Sequence, residues 1–144
     1  MANEDEEVAS VLKTLDDHKD SYIMTQSRSS IKGHKNDMLQ KLQIKKDELK
    51  NFHEKLEHYM YVDDLSNIRY GGYIRWIRLT DPENIKLTNG GFILDIKIYE
   101  TGCNILCKNN MNRKFEIKFD ENMIFQKLTP QEEVLLDVLT YLEK

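Results

Sequence analysis

The chain of 144 residues is short of most things that identify a function at sight. It has two cysteines, two prolines, one tryptophan and a net charge of only -4. Two cysteines, Cys103 and Cys107, are no disulfide framework and fit a reducing compartment. Near-neutral charge excludes a strongly basic nucleic-acid protein and offers an anionic membrane nothing to attract. No apolar run approaches the roughly 20 residues that span a bilayer, so no membrane partner is expected. The acidic start Met1-Ala2-Asn3-Glu4-Asp5-Glu6-Glu7 lacks the basic and apolar blocks of a secretory leader, which predicts a protein that is not secreted. Apolar residues at 40% fall below the average of about 45–50%, so the core is modest.

What the chain does have is a change of period near Val62. Residues 1–62 hold one glycine, Gly33, and no proline, and their apolar residues recur at helical spacing. Met38, Leu42, Lys45, Leu49, Phe52, Leu56 and Tyr59 follow steps of four and three on one helical stripe, and Ile31 extends it backward. With Ile31 the stripe runs for about four heptads, enough to predict a coiled-coil-like arm, with Lys35 and Lys45 as polar interruptions of the seam. A weaker stripe, Val8, Val11, Leu15, His18 and Tyr22, precedes it. The run Thr25-Gln26-Ser27-Arg28-Ser29-Ser30, with Gly33 just beyond, predicts a break at 25–33, giving either a helical hairpin or one bent helix.

Such a ridge needs covering, because each large apolar side chain left in water forfeits roughly 1.5–3 kcal/mol. The expected interface on the arm is Met38, Leu42, Leu49, Phe52, Leu56 and Tyr59, sheathed by a partner chain or a groove in a larger assembly. The alternative is that the arm folds back on the second half of its own chain.

From Asp63 the period is two. Gly72 to Leu79 is rich in strand formers, and turns follow at Asp81-Pro82-Glu83-Asn84 and Asn89-Gly90-Gly91. Phe92, Leu94, Ile96 and Ile98 then recur at every second position, with Asp95 and Lys97 between them, placing those four on one inward face. Cys103 to Lys108, the segment with Phe115, Ile117 and Phe119, and Met123 to Lys127 complete five short strands. Five strands in about 60 residues predict a small antiparallel barrel, SH3-like or Tudor-like, or a curled sheet. Thr129-Pro130-Gln131-Glu132 carries an N-cap, a first-turn proline and a capping-box glutamate, and opens a C-terminal helix with Leu135, Val138, Leu139 and Leu142 as its stripe. The fold class is therefore α+β: a helical arm at 1–62, a β module at 63–128 and a capping helix at 129–144.

The side chains that carry chemistry are sparse. His18, His34, His53 and His58 all lie in the helical half, and His53 and His58 are five apart, which puts them on different helix faces. Cys103 and Cys107, on one strand, are separated by about 13 Å at 3.3 Å per residue, too far to share an ion, and no second Cys or His pair accompanies them. No carboxylate pair is framed by apolar residues, and the glycine pairs are too short to cradle phosphate. No catalytic residue, cofactor or metal is assigned, and an enzyme is not expected.

Arg69, Tyr70, Tyr73, Arg75, Trp76 and Arg78 stand out. Interleaved rings and guanidiniums on a β surface serve either a protein hot spot or a nucleic-acid strand. Near-neutral charge favours protein, with Arg69, Tyr73, Arg75, Trp76 and Arg78 as the second interface. Alternation divides the set: Tyr73 and Arg75 go with Ile77 and Leu79, while Trp76 and Arg78 go with Ile74, so one aromatic is expected in the core.

The arrangement Tyr70-Gly71-Gly72-Tyr73-Ile74-Arg75-Trp76-Ile77, then Leu87-Thr88-Asn89-Gly90-Gly91-Phe92, Phe115-Glu116-Ile117 and Ile124-Phe125-Gln126-Lys127, resembles small proteins of nucleocytoplasmic large DNA viruses of the algal-virus and mimivirus type. The resemblance spans residues 68–128. It implies a minor virion or capsid-associated component, located in the cytoplasm or the virion, and it carries no catalytic residue. The sequence thus predicts a non-enzymatic assembly protein whose arm self-associates or docks and whose β module makes protein contacts. The alternative is a nucleic-acid-binding barrel with a dimerising helix.

Overall fold

The computed structural model describes residues 4–17 and 22–142. The chain is α+β, with four α-helices and one six-stranded sheet among the described residues. It divides into two compact units, one formed by residues up to 33 together with those from 128 on, the other by residues 34–127. The division falls at Gly33 and at Lys127, not at Val62, so the stretch 34–62 belongs with the sheet.

In the first unit, α1 (Glu4–Asp17) is followed by a 3-10 turn at Tyr22–Thr25, and α2 (Arg28–Gln40) begins there. Its start is capped by a reciprocal pair: the Ser30 amide donates to Ser27 Oγ at 3.1 Å, and the Ser27 amide to Ser30 Oγ at 2.8 Å. The expected break is therefore present just before α2, while Gly33 lies inside it. The C-terminal helix α4 (Pro130–Leu142) starts with the capping box read from sequence. The Thr129 amide donates to Glu132 Oε1 at 2.9 Å and the Glu132 amide to Thr129 Oγ1 at 3.1 Å. Arg28 meets α4 with its guanidinium, 2.7 Å from Glu133 and 2.6 Å from Asp137. Leu135 and Leu136 are buried while Leu142 is exposed, so the stripe on α4 is rotated from the expected one. Val8 is exposed, and His18 lies outside the described residues.

In the second unit the long arm is replaced by a hairpin. α2 ends at Gln40, Gln43 takes a left-handed φ of 52°, and α3 (Lys46–Lys55) runs back. Two short helices satisfy the same four-and-three spacing that one coil would. Leu39, Phe52, Leu56 and Tyr59 are buried in one cluster with Ile77, Met123 and Phe125 of the sheet, and Met38, Leu42 and Leu49 pack against it half-buried. Of the six residues expected to face a partner chain, Phe52, Leu56 and Tyr59 are thus buried against the chain's own strands, and Met38, Leu42 and Leu49 are half-buried beside them. Lys45, expected inside the seam, is exposed and occupies the N-cap position of α3 without a side-chain capping bond.

The sheet consists of β1 (Tyr59–Val62), β2 (Tyr73–Arg78), β3 (Gly91–Tyr99), β4 (Gly102–Lys108), β5 (Lys114–Lys118) and β6 (Asn122–Lys127). Its order is β1-β6-β2-β3-β4-β5, antiparallel throughout. The five expected strands are β2 to β6. The sixth, β1, pairs with β6 where the arm was expected to continue, and β1 and β5 remain edges of an open sheet rather than the seam of a five-stranded barrel.

The helices cover one face of β1, β6 and β2. The opposite face builds a second core from Val62, Ile68, Ile74, Trp76, Ile93, Ile105, Cys107 and Ile124. Gln126, 2% exposed, ties the β1–β2 connection to this core: its Oε1 accepts from the Arg69 amide at 3.0 Å and its Nε2 donates to Asn67 O at 2.9 Å. A register shift between Ile93 and Asp95 makes Leu94 a β-bulge. Before it Ile93, not Phe92, faces the core; Phe92 and Leu94 are exposed, and Ile98 is 77% exposed.

Candidate functional site

The aromatic and arginine strand is β2, and its alternation is as the sequence predicts. Arg75 and Ile77 pair with Phe125 and Met123 on the helix-covered face, while Trp76 pairs with Ile124 on the other. Trp76 is the core aromatic at 8% exposure, and Tyr73 is half-buried with its ring edge-on to Phe92 at 4.9 Å.

β2 pairs with β3 only at Tyr73 and Ile74. Beyond that the segment leading into β3 lies alongside it: Thr88 N–H donates to Trp76 O at 3.0 Å, Trp76 N–H to Thr88 Oγ1 at 3.1 Å, and Arg75 Nε to Thr88 O at 2.8 Å. The Tyr73 hydroxyl donates to Asn89 O. Gly90 closes this bend with φ 90°, and a β-carbon there would sit 2.2 Å from Ile74 O. Only glycine reaches that conformation and that approach without strain.

The result is a cleft of about 780 Å³, within the range of roughly 300–1,000 Å³ common for ligand sites. One wall is Trp76, Arg78 and Thr88 to Gly90; the other is β5 from Phe115 to Lys118; Asn109, Asn110 and Met111 form the rim, and Glu121 and Asn122 one end. Phe115 and Ile117 pair with Cys107 and Ile105, so both share the face of the second core. The rim is fixed by Asn109, whose Oδ1 accepts from the amides of Met111 and Arg113 at 2.9 Å each. It holds Met111 out at 82% exposure.

The charges around the cleft are unevenly neutralised. Glu121 lies 3.6 Å from Lys118, and Glu116 lies 3.5 Å from Lys97 and accepts from the Tyr99 hydroxyl at 3.2 Å. Arg113 stands over the Phe115 ring at 5.6 Å. Among the described residues no carboxylate pairs with Arg78, Arg113 or Lys114.

Of the five expected β-module residues, Tyr73, Trp76 and Arg78 line the cleft and Arg69 and Arg75 do not. Arg69 donates to Lys127 O at 3.0 Å, and Arg75 is held by Thr88. The site residues that sequence reasoning missed are Met111, Phe115, Ile117 and Lys118. Their signals, a methionine at the tip of an Asn-rich loop and an alternating strand, do not say that this strand ends the sheet.

Reactive groups are not gathered here. Burial pushes the Cys107 thiol up to about 11, and its sulfur lies 3.6 Å from Phe115 O. His53 bonds Asn36 Oδ1 at 3.0 Å and His34 packs edge-on to Tyr61 at 5.0 Å. No group of three His, Cys, Asp or Glu able to hold a metal occurs among the described residues. Among these residues, too, no helix is long and apolar enough to cross a membrane. No family model, curated protein or solved structure matches the chain.

Proposed function

We propose that the protein is a non-enzymatic assembly component that binds another protein through the cleft between β2 and β5. One observation carries this reading: Trp76, Arg78 and Phe115 converge on an opening left where the sheet stops at β5. Trp, Tyr and Arg dominate protein-contact energies because they bury large area with little entropy to lose. The rim is pre-organised by Asn109, which lowers the ordering cost of binding. Phe52, Leu56 and Tyr59 of the helical ridge are buried against the sheet, so the reading rests on the β module. The resemblance carried by residues 68–128 directs the search for a partner to the cytoplasm and the virion.

Affinity capture with the wild-type chain and with a Met111→Glu, Phe115→Glu double variant tests the reading. Met111 is 82% exposed and Phe115 37%, and a far-ultraviolet spectrum and melting curve matching the wild type establish that the variant is folded. A protein retained by the wild type and lost by the variant is the expected result; equal capture by both overturns the cleft as the contact site.

A second reading, a nucleic-acid-binding surface, is favoured by the open face of β3, β4 and β5. There Phe92, Lys108 and Lys114 form one cross-strand row, and Lys97, Asn104 and Lys118 another. Rings and lysines on an exposed sheet suit a single strand. This reading requires binding that weakens steeply with salt; single-stranded probes that fail to bind at low salt remove it.

A further inference from the structure

Resting on the cleft as a protein-contact site, we propose that its occupant is an extended acidic peptide segment that adds to the free edge of β5 as a seventh strand. The hydrogen-bond phase of β5 supplies the first argument. The Asn109 amide donates to Arg113 O at 3.0 Å, which makes that pair a bonded one. In an antiparallel ladder bonded pairs alternate, so the next are Cys107 with Phe115 and Ile105 with Ile117. The backbone groups of Phe115 and Ile117 therefore point to β4, and those of Lys114, Glu116 and Lys118 point out of the sheet. On that side Asn122 Nδ2 donates to Lys118 O at 2.7 Å. No other described residue bonds the outward backbone of Lys114 or Glu116. Such a row of N–H and C=O groups is a template for an incoming strand.

Charge selects the occupant. Two copies of β5 paired about Glu116 would set Glu116 against Glu116 and Lys114 against Lys118, both repulsive. An acidic strand instead meets Lys114 and Lys118 on the outer face; Lys118 also has Glu121 at 3.6 Å, whereas Lys114, Arg113 and Arg78 lack carboxylate partners among the described residues. Residues opposite Phe115 and Ile117 point to the cleft face, toward Trp76, and must be apolar. The segment recognised thus reads acid, apolar, any, apolar, acid.

Trp76 is the only tryptophan and lies on the cleft wall, so its emission reports occupancy. The probes are blocked seven-residue peptides centred on Asp-Val-Thr-Val-Asp, the same peptide with Lys for Asp, and the same peptide N-methylated on its pairing amides. Saturable binding of the first, with the other two about tenfold or more weaker, is expected. Glu116→Pro removes an outward N–H and no bond to β4, the one kind of strand position that tolerates proline; it abolishes binding, and Glu116→Gln retains it. The N-methylated peptide asks the same question of the unaltered protein. No binding of the acidic peptide overturns the proposal. Binding that survives N-methylation and Glu116→Pro but is lost with Phe115→Glu also overturns strand addition, while leaving the cleft as the contact site. Binding that survives all three refutes the cleft as well. A wild-type dimer in sedimentation that Glu116→Pro dissociates assigns the edge to a second copy, against the proposal.

Discussion

Lys35 reaches from α2 to the end of α3 and places its ammonium 2.7 Å from the carbonyl oxygen of Leu56. The same Nζ is 3.0 Å from Tyr59 O, and Lys35 is only 5% exposed. A cation at a helix C-terminus satisfies carbonyls that have no intrahelical donor and meets the negative end of the dipole. The residue that looks in sequence like a flaw in an apolar seam is thus the clasp of the helical hairpin. Lys35→Met removes the donor and leaves buried carbonyls unpaired, at a cost of about 1–3 kcal/mol. A clearly lowered urea midpoint with an unchanged slope is the expected result, and an unshifted midpoint contradicts the clasp.

Gln126 holds the β1–β2 connection with one donor and one acceptor. Gln126→Leu orphans the Arg69 amide and the Asn67 carbonyl together, and about 1–3 kcal/mol of stability is lost. Gln126→Glu keeps the acceptor but buries a charge and loses the donor, so it destabilises as well. Thermal unfolding of both variants checks this; a stabilised Gln126→Leu is the contrary outcome.

Gly90 fails every substitution for two independent reasons, its φ of 90° and the 2.2 Å approach of a β-carbon to Ile74 O. Gly90→Ala costs at least about 1–3 kcal/mol in backbone strain, and it also displaces the Thr88 bonds to β2 that form the cleft wall. Gly33, with open space around its α-carbon, is the control: Gly33→Ala, inside α2, stabilises slightly, by up to about 1 kcal/mol. Comparing the two unfolding curves separates conformational need from mere glycine content.

Cysteine chemistry distinguishes the two thiols. Burial raises Cys107 from 9.0 to about 11, so it is protonated at pH 8, whereas Cys103 is half-exposed. Iodoacetamide at pH 8 modifies Cys103 in the folded protein and Cys107 only after denaturant is added, as peptide mass spectrometry will read. The sign of the linkage follows: from pH 9 to about 11 the unfolded chain ionises this thiol and the folded one does not, so its contribution to stability is lost as pH rises. Prompt labelling of native Cys107 contradicts its burial.

What the sequence made legible is what short-range chemistry decides. The Thr129 and Glu132 box, the alternation of β2 and the break before α2 all depend on a few neighbouring residues. The failures are long-range. A four-and-three stripe is shared by one coil and by two short helices, and the reversal at Gln43 uses a left-handed residue with no glycine or proline to mark it. Phe92, Ile93 and Leu94 are all apolar, so the bulge that rotates the phase of β3 leaves no trace in the pattern. Tyr59 to Val62 reads equally as the end of a helix and as an edge strand; pairing with β6 decides it. That Phe115 faces a cleft rather than a closed core follows from β5 having one neighbour, a property of strand order rather than of any residue.

Hydrogen exchange, comparing the protein alone with the protein bound to whatever it captures, decides between the β module and the helical hairpin as the contact surface. Added protection at the outward amides of Lys114, Glu116 and Lys118, with none in α3, is the result expected here. Protection confined to residues 46–55, with β5 exchanging as before, would contradict it.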